Sequence, residues 1–251
     1  MPDLDHVYRS KYYDYINAGS LSSARIICPI VIKWFKPESI IDIGCGAGAW
    51  CNIWKSLHIP NVTGVDGSYV QTDSLLIDSA SFIRQDLSQP FILEKKFSIA
   101  TSFEVAEHIP ESKADIFINN LTHCSEIILF SAAPPGQGGE FHVNEQPLQY
   151  WREKFASFGY QCFDPIRSKI HKNVNVEPWY RYNILLYVKE NTVNQLPQEI
   201  LLTHIKPELS IPDFSPLTWR IRNKILLHMP ECMKTLLVKA KHIYQRKRHA
   251  K

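Results

Sequence analysis

A doubly wound α/β fold, with a seven-stranded sheet, N-terminal helices and a helical C-terminal extension, is predicted for this 251-residue chain by three observations. Short apolar runs bounded by turn residues recur between Ser39 and Lys189. Segments with helical spacing separate most of them. The first run ends in a glycine-rich turn, Gly44-Cys45-Gly46-Ala47-Gly48. Strands alternating with helices call for a mostly parallel sheet with helices on both faces. A glycine turn at a strand end places bare backbone where such sheets open toward ligands.

The elements follow in order. Residues 9–35 carry Tyr12, Tyr13, Tyr15 and Ile16, then Ala24, Ile27, Ile30, Val31 and Trp34, at helical spacing. Two helices separated near Gly19 are predicted there, stopped by Pro37. Residues 39–43 form a buried parallel strand. Residues 50–57 form a helix and 62–65 a second strand ending at Asp66-Gly67. Phe82-Ile83 is a short third strand leading to Asp86, and 97–103 a fourth. Residues 113–123 are helical, with Ile116, Phe117 and Leu121 on one side. Strand 127–132, helix 148–158 and strands 160–163 and 183–189 complete the sheet, with the late strands antiparallel at its edge. The expected division is a catalytic domain over 1–190, a Pro-rich linker or lid over 191–218, and a basic helical tail over 219–251.

Composition narrows the function classes. The chain is 45% hydrophobic and 21% charged, an ordinary composition for a soluble domain. The six cysteines include no CxxC pair, which argues against a zinc ribbon or a thioredoxin-like site. The polar N-terminus has no apolar core of a signal peptide, and no run of about 18 apolar residues appears, so a cytoplasmic protein is expected. Residues 219–251 hold ten Lys/Arg and one acid, so the remainder carries a net −6 against the overall +3.

The glycine turn holds the most specific chemistry. Glycine permits positive φ and close approach of a ligand, and the following helix directs its first amides at it. Three details discriminate among nucleotides. The spacing is GxGxG rather than the GxGxxG of dinucleotide sites. Asp42 ends the strand before the turn, which disfavours a pyrophosphate and favours a cation. Asp66 follows the second strand, where an acid can accept from ribose hydroxyls.

Asp42-Ile43-Gly44-Cys45-Gly46-Ala47-Gly48 resembles motif I of the class I S-adenosylmethionine-dependent methyltransferases, whose fold is a Rossmann-like, doubly wound seven-stranded sheet. Val65-Asp66 resembles motif II. Gln85-Asp86-Leu87 resembles the segment facing the adenine, and Ser102-Phe103-Glu104-Val105-Ala106-Glu107-His108 resembles motif IV. The resemblance covers roughly residues 20–190. It implies S-adenosylmethionine as methyl donor and S-adenosylhomocysteine as product. The cofactor residues it implies are Asp42, Gly44, Gly46, Gly48, Asp66, Gly67, Asp86, Leu87 and Phe103.

The second half concerns the acceptor. Pro135-Gly136-Gln137-Gly138-Gly139-Glu140-Phe141-His142-Val143-Asn144-Glu145-Gln146 and Trp179-Tyr180-Arg181-Tyr182-Asn183 resemble blocks of bacterial methyltransferases associated with surface-glycan or natural-product pathways. Phe141 stands where a glycine is usual there, and Tyr182 where a glutamine is. A sugar, a glycan or another small hydroxylated acceptor is therefore expected. A hydroxyl nucleophile needs its proton removed as it attacks, a task for His142 or His108, with His142 the first choice. Glu104, Glu107, His108 and His142 also resemble the metal set of small-RNA 2′-O-methyltransferases and ubiquinone-pathway O-methyltransferases, so a divalent metal is an alternative. Amine methylation is less favoured, since no Asn-Pro-Pro-Tyr or Asp-Pro-Pro-Tyr follows the fourth strand. Tyr150, Trp151, Trp179 and Tyr180 suit either acceptor stacking or core.

The basic tail, with Leu217, Ile221 and Ile225 on one helical face, suggests peripheral contact with a membrane at its inner surface. The competing readings are an RNA or protein methyltransferase that docks through that tail, and a cofactor-binding protein without catalysis. A solvated basic face is the plainer reading of the same pattern.

Overall fold

The computed structural model describes residues 11–229. Seven strands form one sheet in the order β3-β2-β1-β4-β5-β7-β6. They are β1 (Ser39–Ile43), β2 (Asn61–Asp66), β3 (Phe82–Arg84), β4 (Ile99–Phe103), β5 (Ile127–Ser131), β6 (Tyr160–Phe163) and β7 (Leu185–Lys189). β7 runs antiparallel to both neighbours, β5 and β6, while the pairs from β3 through β5 are parallel. The expected doubly wound sheet is therefore present, with its one reversed strand lying next to the edge rather than at it.

The helices are α1 (Lys11–Phe35), α2 (Ala49–Ser56), α3 (Ala114–Cys124), α4 (Leu148–Ser157), α5 (Arg167–Ile170), α6 (Pro178–Asn183), α7 (Gln198–Leu201) and α8 (Leu217–Leu227). Side-chain alternation sorts them onto the two faces. Ile40, Val62, Ile99 and Leu129 face Ala24, Ile27, Cys28, Val31 and Trp54 of α1 and α2. Ile41, Ile43, Val65, Ala100 and Phe130 face Phe117 and Leu121 of α3 and Trp151 and Phe155 of α4.

One expectation is corrected. α1 is a single 25-residue helix that runs through Gly19. A Cβ at Gly19 would lie 2.7 Å from Oε1 of Glu177, so this glycine permits close packing rather than a break. Glycine inside a helix costs about 1 kcal/mol against alanine, which the packing of a long helix on the sheet can offset. Pro29 also lies within α1, at an exposed position.

Residues 190–216 run along the β6 edge. Phe163 bridges to His204, the amide of Ile205 donates to the Cys162 carbonyl, and Arg152 donates to the carbonyls of Lys206, Pro207 and Leu209. Among the described residues no helix is long and apolar enough to cross a membrane. Most of the basic tail, from residue 230 onward, lies outside the described residues.

Candidate functional site

β1, β2 and β4 are parallel, with Asp42 level with Gly64 on one side and Thr101 on the other. The loops that follow them therefore open from one edge of the sheet. In the first loop Gly44, Gly46 and Gly48 all have positive φ, at 83°, 55° and 86°. The reasons for glycine differ. A Cβ at Gly44 would lie 2.3 Å from Cγ2 of Val105, and one at Gly48 would lie 3.0 Å from Cγ1 of Ile77. At Gly46 a Cβ would meet nothing within 4 Å. Gly44 and Gly48 serve packing, whereas Gly46 opens onto free space.

The two acids behind this loop are buried. Asp42 accepts from the Thr101 hydroxyl at 2.6 Å and from the Cys51 thiol at 3.8 Å. Desolvation raises its pKa to about 7, opposed by the Thr101 hydrogen bond. Asp66 accepts from the amides of Gly46 at 2.6 Å and Gly67 at 2.7 Å, and from the hydroxyl of Tyr69. Burial raises its pKa as well, against those same hydrogen bonds. Asp66 thus ties the glycine loop to the end of β2. A Cβ at Gly67 would lie 2.3 Å from the Tyr69 ring, so Gly67 is what lets Tyr69 fold onto Asp66.

The remaining expected cofactor residues lie around this loop. Asp86 is exposed and accepts from the amide and hydroxyl of Ser88, a local turn beyond β3. Leu87 is buried in the core beside it. Phe103 ends β4, with its ring 4.3 Å from that of Trp50 and 6.1 Å from that of Tyr180. Of the four aromatics left between acceptor and core, Trp151 and Tyr180 are buried, while Tyr150 and Trp179 are half-buried.

A second cluster forms where the loops after β4 and β5 meet. The amides of Val143 and Asn144 both donate to the Glu107 carbonyl, at 2.9 and 3.0 Å. This pairing brings Glu107, His108 and His142 together, with one ligand-type atom from each lying within 4.8 Å of the others. His142 Nδ1 lies 2.8 Å from Oε1 of Glu145, and its Nε2 lies 3.9 Å from Oε1 of Glu107. A carboxylate can only accept, so Nδ1 carries a proton toward Glu145, and in the neutral ring Nε2 then presents its lone pair. His108 Nδ1 donates to the Phe141 carbonyl at 3.3 Å, which leaves its Nε2 in the same state. Desolvation, and then His142, lower the His108 pKa to about 4. The residue keeps an exposed edge, so this dehydration is partial.

Glu107 is fully buried, and neither carboxylate oxygen has a hydrogen bond of ordinary geometry. Burial, and then the neighbouring Glu104, push its pKa well up; the nearby amides of Glu107 and Ala133 compensate only in part. Asn144 Nδ2 is likewise buried without a partner. Unpaired buried carboxylates are costly unless protonated or matched by a cation.

Glu104, the fourth residue of the expected metal set, is engaged elsewhere. It accepts from Gln137 Nε2 at 2.5 Å and lies 3.5 Å from Asn183 Nδ2, while Asn183 donates to Gln137 Oε1 at 2.8 Å. Burial raises its pKa to about 7 against these hydrogen bonds.

Sequence reasoning did not assign roles to Gln137, Asn183 or Glu145. Glu145 takes the amides of Gly136 and Gly138 at 2.7 Å each, as well as His142, and so shapes the whole loop. Although burial opposes it, these bonds lower its pKa. The signal was available: all three residues lie inside the two blocks that carried the resemblance.

The sequence matches the family described as "Methyltransferase domain" over residues 24–168. No curated protein matches the chain. Among solved structures it is similar to the methyltransferase domain of bacterial CtHen1-C, at 19% identity over 68% of this chain and 98% of that one, with a TM-score of 0.52. The plantazolicin methyltransferase BpumL in complex with SAH shares 16% identity over 75% of this chain and 92% of that one, with a TM-score of 0.53. An O-methyltransferase family protein from Burkholderia thailandensis shares 12% identity over 73% of this chain and 61% of that one, with a TM-score of 0.51. At these identities the likeness is one of fold.

Proposed function

The chain belongs to the methyltransferase-domain family, and from that membership we propose that it is an O-methyltransferase acting on a small hydroxylated acceptor, a sugar or glycan unit. It is an S-adenosylmethionine-dependent enzyme. We assign the cofactor to the edge formed by Gly46, Asp66 and Gly67, with Asp86, Leu87 and Phe103 around the adenine and Asp42 behind the sulfonium. Gly46 supports this assignment, because it is the loop glycine whose missing side chain leaves open space.

The observation that carries the acceptor reading is the state of His142. Glu145 accepts from its Nδ1, which in the neutral ring leaves Nε2 as the proton acceptor on the loop beyond β5. The acceptor oxygen attacks the methyl carbon as the carbon–sulfur bond breaks. The hydroxyl proton passes to Nε2 of His142, and S-adenosylhomocysteine leaves. Positioning in line with the sulfur supplies much of the rate.

A second reading adds a divalent cation, favoured by the buried carboxylate of Glu107, which has no hydrogen bond of ordinary geometry. Glu107, His108 and His142 would hold it, and their mixed oxygen and nitrogen donors suit such an ion. When bound, it would lower the pKa of the acceptor hydroxyl. Glu104 is left out of the set, since Gln137 occupies its carboxylate.

One experiment tests both readings. Methyl transfer is followed against a panel of sugars, sugar nucleotides and glycans, in chelator-treated buffer with and without added Mn²⁺, Mg²⁺ or Zn²⁺. His142→Ala should cut turnover by about 10²–10⁴-fold with cofactor affinity unchanged, as expected for a lost general base. Unchanged turnover would remove His142 from the chemistry. Full activity without metal would retire the second reading, and preferential methylation of RNA would replace the acceptor class.

A further inference from the structure

Helix α8 presents two unlike faces. Its inner face lies on the loop that leads to His142. Arg222 Nη1 donates to the Gln137 carbonyl at 2.8 Å, and the Trp219 ring lies 5.9 Å from that of Tyr182. The Asn223 carbonyl is so close to Gly136 that a Cβ there would stand 2.1 Å from it. These contacts fix which side of the helix turns outward.

The outward side carries Leu217, Ile221 and Ile225 at four-residue intervals, exposed by 63%, 50% and 56%. Arg220, Lys224 and His228 share it. At 100° per residue these six positions fall within an arc of about 140°. Arg220 meets Asp213 at 3.7 Å, an exposed pair; the aliphatic stripe remains bare to solvent. No residue of α8 is buried; among the described residues its seat comes from the inner contacts and the Arg220–Asp213 pair.

We propose that this outer face docks on an anionic lipid surface. Charge complementarity selects the occupant. Arg220 and Lys224 flank the stripe, and the sequence from 228 to 251 adds seven Lys/Arg against the single acid Glu231. An aliphatic stripe beside basic residues matches the boundary between acyl chains and acidic headgroups. A nucleic-acid backbone would use the charges but leave Leu217, Ile221 and Ile225 without a role. Docking through α8 sets the 136–142 loop at the lipid surface, because Arg222 and Asn223 grip that loop from the other side. The inference does not depend on the acceptor class, and its test reads binding rather than turnover.

The full chain is sedimented with vesicles of neutral phosphatidylcholine alone or with added phosphatidylserine. Binding is expected for the anionic vesicles only, and the charge-neutral pair Ile221→Gln with Ile225→Gln should weaken it by about tenfold or more. Lys224→Glu should weaken it less and flatten its salt dependence. Methyl transfer to a soluble acceptor, and the thermal midpoint, should be unchanged in all variants. Absence of vesicle binding overturns the proposal, as does binding that the Ile221→Gln/Ile225→Gln variant retains in full, which would assign it to charge alone. Salt-sensitive RNA binding without vesicle binding overturns it in favour of a nucleic-acid face. Self-association lost in the same variant, with no vesicle binding, overturns it in favour of a second copy.

Discussion

At the scale of the residue, Gly46 separates a folding requirement from a binding one. Its φ of 55° disfavours any other residue, yet a Cβ there would touch nothing. Gly46→Ala should therefore cost only about 1–2 kcal/mol of stability, the penalty of a left-handed non-glycine residue. Affinity for S-adenosylmethionine should fall at least about tenfold, because the added methyl group enters the space assigned to the cofactor. Thermal unfolding and calorimetric titration check the two halves, and unchanged affinity would move the cofactor off this loop. Phe141 is the opposite case. It holds φ at 61° without being glycine, where the resembling block has glycine. The sequence showed this departure, and the backbone explains it: the turn that presents His142 has a left-handed residue just before it. Glu104 is strained in the same way at the end of β4, with φ at 58°. Single-site strain of this kind leaves no periodic trace in a sequence.

At the scale of the element, the strands were the most legible part. Their apolar runs mark positions buried on both faces, as Ile40, Ile41 and Ile43 of β1 are. Helix α1 is one element where the sequence suggests two, because a glycine suggests a break, and the tertiary neighbour Glu177 shows why Gly19 belongs inside the helix. The Gln137, Glu104 and Asn183 contacts were not legible, since they join segments 33 to 79 residues apart. Nor was the seat of α8, which depends on backbone approach. Gly136→Ala tests that seat. The new Cβ would meet the Asn223 carbonyl at 2.1 Å, and φ is 81°, so neither partner can yield cheaply. Amides of residues 217–227 should exchange at least about tenfold faster, an opening made easier by roughly 1.4 kcal/mol or more. Protection equal to that of the wild type would mean that α8 is held by something other than this loop.

At the scale of the whole molecule, the buried acids tie cofactor binding to pH. An unfolded Asp ionises near 4, whereas Asp42 in the fold does so at about 7. Stability without cofactor should therefore fall as pH rises from about 4 to about 7 and then level off. A bound sulfonium favours the ionised carboxylate, so affinity for S-adenosylmethionine should rise across pH 6 to 7 and level off near 8. Asp42→Asn should flatten the affinity profile and make the stability profile shallower, with the remaining slope coming from Asp66, Glu104 and Glu107. Titration calorimetry in buffers of differing ionisation enthalpy measures the released proton, and a pH-independent affinity would show that Asp42 does not sense the cofactor.

The late arrival of Asn183 has a consequence for synthesis. The glycine loop, Asp66 and the acids after β4 all precede residue 110, and so leave the ribosome before the second half of the sheet. Asn183, which closes the contact with Gln137 and Glu104, ends α6 just before β7. β7 must then insert antiparallel between β5 and β6, a pairing that forms only after both have emerged. A growing chain therefore assembles the edge proposed for the methyl donor first and secures the loop of His142 last. An unfinished polypeptide that took up a methyl donor at that edge would still lack the fixed loop proposed to act on the acceptor.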